Sequence, residues 1–136
     1  MQTRAIESAA TTAVQMLAIA ALLSFAGVVA AYAHAHLDRA TPPAGATETT
    51  APGEVTLHFS ERLEPKFSTV VVRDAAGSQV DKRDARVDEA DRSTLRVSLP
   101  PLGPGQYKVE WRVISVDSHA TKGDYGFRIG KQVSRP

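Results

Sequence analysis

The chain has 136 residues, with 16 Lys and Arg against 15 Asp and Glu and a formal net charge of +1. That length allows one domain with one modest core, and the balance of charge leaves no basic excess to neutralise nucleic-acid phosphates or anionic lipid. No cysteine occurs, and both methionines, Met1 and Met16, lie within the first 33 positions; disulfides, thiolate sites and cysteine nucleophiles are therefore excluded, and any metal site further on must be built of nitrogen and oxygen, which suits Cu(II), Zn or Ni better than Cu(I).

Arg4 opens a short polar region, and Ala13 to Ala31 is a charge-free apolar run containing Leu17, Ile19, Leu22, Leu23, Phe25, Val28 and Val29. This is the pattern of a secretory signal peptide. The run is also about long enough to span a bilayer as an uncleaved anchor, but Ala31-Tyr32-Ala33 immediately after it favours cleavage. A second match, Ala33-His34-Ala35, would cut two residues later. Either cut makes a histidine, His34 or His36, the first residue of a mature chain. A terminal amine and an imidazole on one residue form a bidentate nitrogen donor of the kind divalent copper favours. The expected division is a signal peptide over 1–33, one β-domain over 34–130 and a polar tail over 131–136.

The remainder has short apolar alternations separated by Pro, Gly, Asp and Ser clusters, the punctuation of an all-β domain. His36 to Ala40 leads into the turn Thr41-Pro42-Pro43-Ala44-Gly45. Val55, Leu57 and Phe59 alternate with Thr56 and His58, which predicts a half-buried strand with His58 facing outward. Phe67 to Val72 is a β-branched run, Ala75-Ala76-Gly77-Ser78 a turn, and Asp81 to Arg92 is charged enough to predict a solvated edge and loop. Leu95, Val97 and Leu99 alternate before Pro100 to Gly105, which cannot lie inside a strand. Tyr107, Val109, Trp111 and Val113 place one face of a long strand in the core, with Lys108, Glu110 and Arg112 on the other. Tyr125, Phe127 and Ile129 close the domain after Gly123. About seven strands around one tryptophan predict a Greek-key β-sandwich.

Four histidines occur: His34, His36, His58 and His119. In an extended segment residues i and i+2 share a side, so Asp117 and His119 can reach one point while Ser118 looks away. Alone, Asp-x-His is more often a turn-capping aspartate beside a surface histidine. A processed terminus changes this, because a terminal histidine, a second imidazole and a carboxylate complete an equatorial set for tetragonal Cu(II). If His34 is first, His-Ala-His can also wrap Cu(II) or Ni(II) through deprotonated backbone amides, making His36 an additional candidate ligand; the competing reading is a histidine that simply starts the first strand. Catalytic arrangements are thin. Ser60, Ser68, Ser115 and Ser118 offer hydroxyls, but Ser118 and His119 as strand neighbours would point apart. There is no phosphate-cradling glycine loop, and nothing gathers Glu61, Glu64 and Glu110 into a pocket.

Several stretches combine into one pattern: the His34-Ala35-His36-Leu37 start, the Thr41-Pro42 turn with Gly45, Leu57-His58-Phe59-Ser60-Glu61, Gly105 to Val113 with Tyr107 and Trp111, and Val116-Asp117-Ser118-His119 before Gly123. Over essentially all of the chain after position 33 this resembles the periplasmic copper-resistance family of CopC and PcoC. The resemblance implies an immunoglobulin-like or cupredoxin-like β-sandwich, in agreement with the strand pattern. Aligning the family's Thr-Pro turn on Thr41-Pro42 puts its N-terminal histidine on His34. The implied Cu(II) ligands are then His34, through amine and imidazole, with Asp117 and His119. Family members with a Cu(I) site carry a methionine-rich segment, and none lies between Phe67 and Asp84. A Cu(II)-only binder is expected.

The expected function is copper binding in the periplasm, for sequestration, resistance or homeostasis, or for delivery to a membrane importer. The resemblance implies an inner-membrane transporter of the CopD type as partner; no nucleic acid is expected, and the chain is expected to be a monomer and not an enzyme. The alternatives are a copper-dependent oxidase or monooxygenase with an N-terminal histidine brace, and a metal-free immunoglobulin-like adhesion module.

Overall fold

The computed structural model describes residues 34–131. The expected signal peptide, and the expected tail beyond its first residue, lie outside the described residues.

Eight strands form: β1 (Leu37–Thr41), β2 (Thr47–Glu48), β3 (Glu54–Phe59), β4 (Thr69–Asp74), β5 (Arg86–Val87), β6 (Thr94–Ser98), β7 (Gly105–Ile114) and β8 (Ala120–Ile129). They make two four-stranded sheets, ordered β1-β3-β6-β5 and β2-β8-β7-β4. The pairings are antiparallel, except that β2 runs parallel to β8. This is the all-β sandwich that the alternation predicts. Val55, Leu57 and Phe59 of β3 and Leu95 and Val97 of β6 point inward from one sheet; Val70, Val72, Val109, Val113, Phe127 and Ile129 meet them from the other.

The turn after β1 needs its glycine. Gly45 has φ +75 and donates its N–H to the Gly126 carbonyl at 2.7 Å, tying the turn to β8. A second glycine is required by packing. Trp111 of β7 stands opposite Gly123 of β8, and a Cβ at 123 would lie 2.4 Å from Trp111 Cζ2. The indole therefore lies across the glycine while Phe59 meets it edge-on at 5.1 Å. This locks the middle of the long β7–β8 hairpin, whose ladder runs from Gly105 opposite Ile129 to Ile114 opposite Ala120.

One local expectation is corrected and two gain detail. Phe67 does not begin a strand: it ends a single 3-10 turn, Pro65–Phe67, and is exposed, because Pro65 cannot donate to a ladder. His58 does lie on the outer face of its sheet, but half-buried, with Nδ1 3.0 Å from Thr94 Oγ1 and 3.4 Å from Asp91 Oδ2. The charged stretch from Asp81 to Arg92 forms the sheet edge as expected, yet it is not simply solvated. Asp81 is buried, and its carboxylate accepts from the Val72 N–H (2.9 Å), the Arg83 N–H (2.8 Å) and the Gln79 amide (3.1 Å). Arg86 and Arg96 each reach Glu54 at 2.8 Å, and Arg96 also reaches Asp88 at 2.9 Å. These charges tie β5 and β6 to each other and to Glu54 of β3.

Candidate metal centre

The approach to the site begins at Ala35, which is fully buried, followed by Leu37 paired with Phe59. Between them His36 is latched to the end of β3: its N–H donates to Ser60 Oγ at 2.9 Å, and its carbonyl accepts from the Ser60 N–H at 2.9 Å. Its side chain is exposed. One of the two amides that a wrapped His-Ala-His site would have to deprotonate, that of His36, is thus already committed to a hydrogen bond. Held by these contacts, His34 stands against His119, with ring centroids 4.7 Å apart at 60° between planes.

The other half of the site is the loop joining β7 and β8. Its two sequence-predicted residues come together, but not by the extended geometry expected. Ser118 has φ +73, and the Ser118 N–H donates to the Ser115 carbonyl at 2.8 Å while the Ser115 N–H donates to the His119 carbonyl at 3.0 Å. A closed turn, rather than strand alternation, puts Asp117 and His119 on one side. The loop is clamped from behind: the Glu64 N–H donates to the Ile114 carbonyl at 2.8 Å and the Val116 N–H to the Arg62 carbonyl at 3.0 Å.

Asp117 accepts a hydrogen bond from the buried hydroxyl of Ser115. That bond, opposed by partial desolvation and assisted by His119, holds the Asp117 carboxyl below its ordinary pKa. The carboxylate form is the one a cation requires. Asp117 Oδ1 lies 3.2 Å from His119 Nδ1. The approach is close enough for an ion pair, but its direction does not make a hydrogen bond, so Nδ1 is buried with no hydrogen-bond partner. Elsewhere in a folded protein such a nitrogen is paired.

Of the four histidines, the structure brings His34 and His119 together with Asp117; His36 is placed at the strand edge and His58 on the outer face of the first sheet. Among the described residues, no group of three His, Asp or Glu side chains stands closed enough to cage a metal unaided. Two supporting residues were missed by reading the sequence. Ser115 reaches Asp117 through the closed turn at Ser118, and the latch by Ser60 depends on strand pairing; local spacing encodes neither. The Ser115 hydroxyl is engaged by Asp117 and lies 3.2 Å from the His119 carbonyl, so it has no imidazole base.

Comparison with known proteins is consistent along the chain. The model of the CopC domain matches residues 37–130. Protein YobA of Escherichia coli K12 is 41% identical over 99 residues, covering 72% of this chain and 80% of that protein. Copper resistance protein C of Pseudomonas syringae pv. tomato is 34% identical over 105 residues, covering 73% of this chain and 82% of that protein. The crystal structure of CopC from Methylosinus trichosporium OB3b superposes with a TM-score of 0.70 at 29% identity, covering 76% of this chain and 100% of that one. With a matching family model over most of its length and the same two-sheet fold, the chain belongs to the CopC domain family.

Proposed function

We propose that the chain is exported, cut before His34, and binds Cu(II) in the periplasm through the amine and imidazole of His34, the carboxylate of Asp117 and the imidazole of His119. The observation that carries this is the convergence of His34 and Asp117 on the His119 ring, whose Nδ1 is a buried nitrogen without a hydrogen-bond partner. Leaving such a group unpaired costs about 1–3 kcal/mol, a cost removed when a cation takes its lone pair. The three side chains do not close a cage by themselves, and the donor that would complete a tetragonal set is the amine that the cut creates. Relatives named for copper resistance support the choice of copper.

Copper here is cargo, held for sequestration or for transfer to an inner-membrane importer, and the protein acts as a monomeric binder rather than an enzyme. Asp117 occupies a position that an oxygen-activating copper site leaves more open. No sulfur follows position 33, so Cu(I) lacks the soft ligands it selects and reduction should release the metal.

The test is retention of copper by the chain beginning at His34 through dialysis against glycine. One Cu(II) per chain with nitrogen hyperfine structure in its electron paramagnetic resonance spectrum is expected. Loss of all copper would refute the proposal and favour a metal-free adhesion module, and sustained peroxide production with ascorbate would favour the oxidase.

A further inference from the structure

The outer face of the β2-β8-β7-β4 sheet carries its charges in rows across the strands. Arg73 stands opposite Lys108, Glu110 opposite Asp124, and Arg112 opposite Lys122, with Thr69 on the other flank of Arg112. The first two rows neutralise each other. Arg73 Nε lies 3.2 Å from Glu110 Oε2, and Lys108 Nζ lies 3.4 Å from Glu110 Oε1 and 3.8 Å from Asp124 Oδ2. The third row is left over: among the described residues, neither Arg112 nor Lys122 makes an ion pair or a side-chain hydrogen bond. Both are exposed. Like charges directly opposite in a sheet are destabilising, and the fold draws no compensating contact from this pair.

An aromatic ring adjoins the row. Phe67 is 61% exposed and closes the 3-10 turn Pro65–Phe67 two residues before Thr69, the strand partner of Arg112. An exposed aromatic beside arginine is the composition of an interface core rather than of ordinary surface. The hairpin that carries Arg112 and Lys122 also carries the Asp117–His119 loop, beginning three residues beyond Arg112 at Ser115.

We propose that Phe67, Thr69, Arg112 and Lys122 form a docking surface for a partner protein that presents an extended acidic segment with an apolar residue. In such a segment alternate side chains face one way about 7 Å apart, within reach of two long cationic side chains whose Cβ atoms stand about 5 Å apart. The intervening chain can lay an apolar side chain on Phe67. An anionic bilayer fits less well, since lipid recognition uses clusters of about 4–8 basic residues, and here Glu110 and Asp124 lie in the next row. Copper plays no part in the proposal, which stands or falls separately from the metal site.

The test uses copper-free protein labelled with 15N and a peptide of alternating glutamate and leucine. Saturable amide shifts are expected at Phe67, Thr69, Arg112 and Lys122, and none with the peptide carrying lysine in place of glutamate. Lys122→Thr should weaken the peptide about tenfold, the loss of one charge-assisted contact, while raising the thermal midpoint because it removes a repulsion. Phe67→Ser should weaken the peptide and leave the midpoint unchanged. Absence of binding, shifts centred elsewhere, or a lowered midpoint with unchanged affinity in Lys122→Thr would each overturn the proposal. So would equal shifts at these residues with inorganic phosphate or with phosphatidylglycerol vesicles, which would make the patch a general anion or lipid site.

Discussion

Asp117 is placed by Ser115, whose buried hydroxyl donates to it from two residues back across the turn. Removing that hydroxyl leaves the carboxylate free to rotate and raises its preference for the proton, so Ser115→Ala should weaken Cu(II) binding about tenfold, since hydrogen bonds to charged groups contribute about 1.5–3 kcal/mol. Asp117→Ala and His119→Ala should weaken it further, because each removes a donor. His58→Ala should leave Cu(II) affinity unchanged, as its ring serves Thr94 and Asp91 on another face. Competition titrations on variants shown to be folded by circular dichroism check all four, and equal losses throughout would mean that the site lies on the wrong face of the sheet. The histidines and the Asp117-x-His119 spacing were legible in the sequence. The role of Ser115 was not, because it arises from a turn set by the positive φ of Ser118, and alternation suggested an extended segment instead.

Among the elements, the β7–β8 hairpin positions the loop, and the Trp111–Gly123 contact fixes the hairpin. Gly123→Ala should destabilise the fold by about 1–3 kcal/mol, the usual cost of overpacking, since its Cβ would overlap the indole at 2.4 Å. Urea unfolding followed by tryptophan emission measures this, and an unchanged midpoint would show that the ring moves aside freely. The strand pattern of β3, β6, β7 and β8 could be read from alternation alone, whereas the edge near β5 could not, because its order comes from long-range pairs to Glu54. Hydrogen bonds from Ser98 lower the pKa of Asp84, those from Ala90 and Arg96 lower that of Asp88, and at Glu54 burial is outweighed by Arg96, Thr56 and the nearby Arg86. Groups with a depressed folded pKa contribute stability that is present above their unfolded pKa and lost as pH falls through the folded one. The urea midpoint should therefore be level from neutrality to about pH 5 and fall below about pH 4, the range in which free carboxyls titrate. A midpoint that rises on acidification would contradict the ion-paired edge.

For the whole molecule, the sandwich acts as a rigid holder that brings the chain's first described residue, His34, to a loop 83 positions away at Asp117. Metal binding and protonation compete for the same nitrogens, so acid should empty the site with more than one proton taken up per copper released. The most direct measurement is a Cu(II) competition titration on two forms of the folded protein, one beginning at His34 and one carrying a single extra glycine ahead of it. The extension moves the free amine off the metal, and the predicted result is an affinity at least about tenfold weaker, as expected for the loss of one strong donor, with fewer nitrogen couplings in the electron paramagnetic resonance spectrum. Equal affinity and an identical spectrum for the two forms would contradict a site built on the terminal amine of His34.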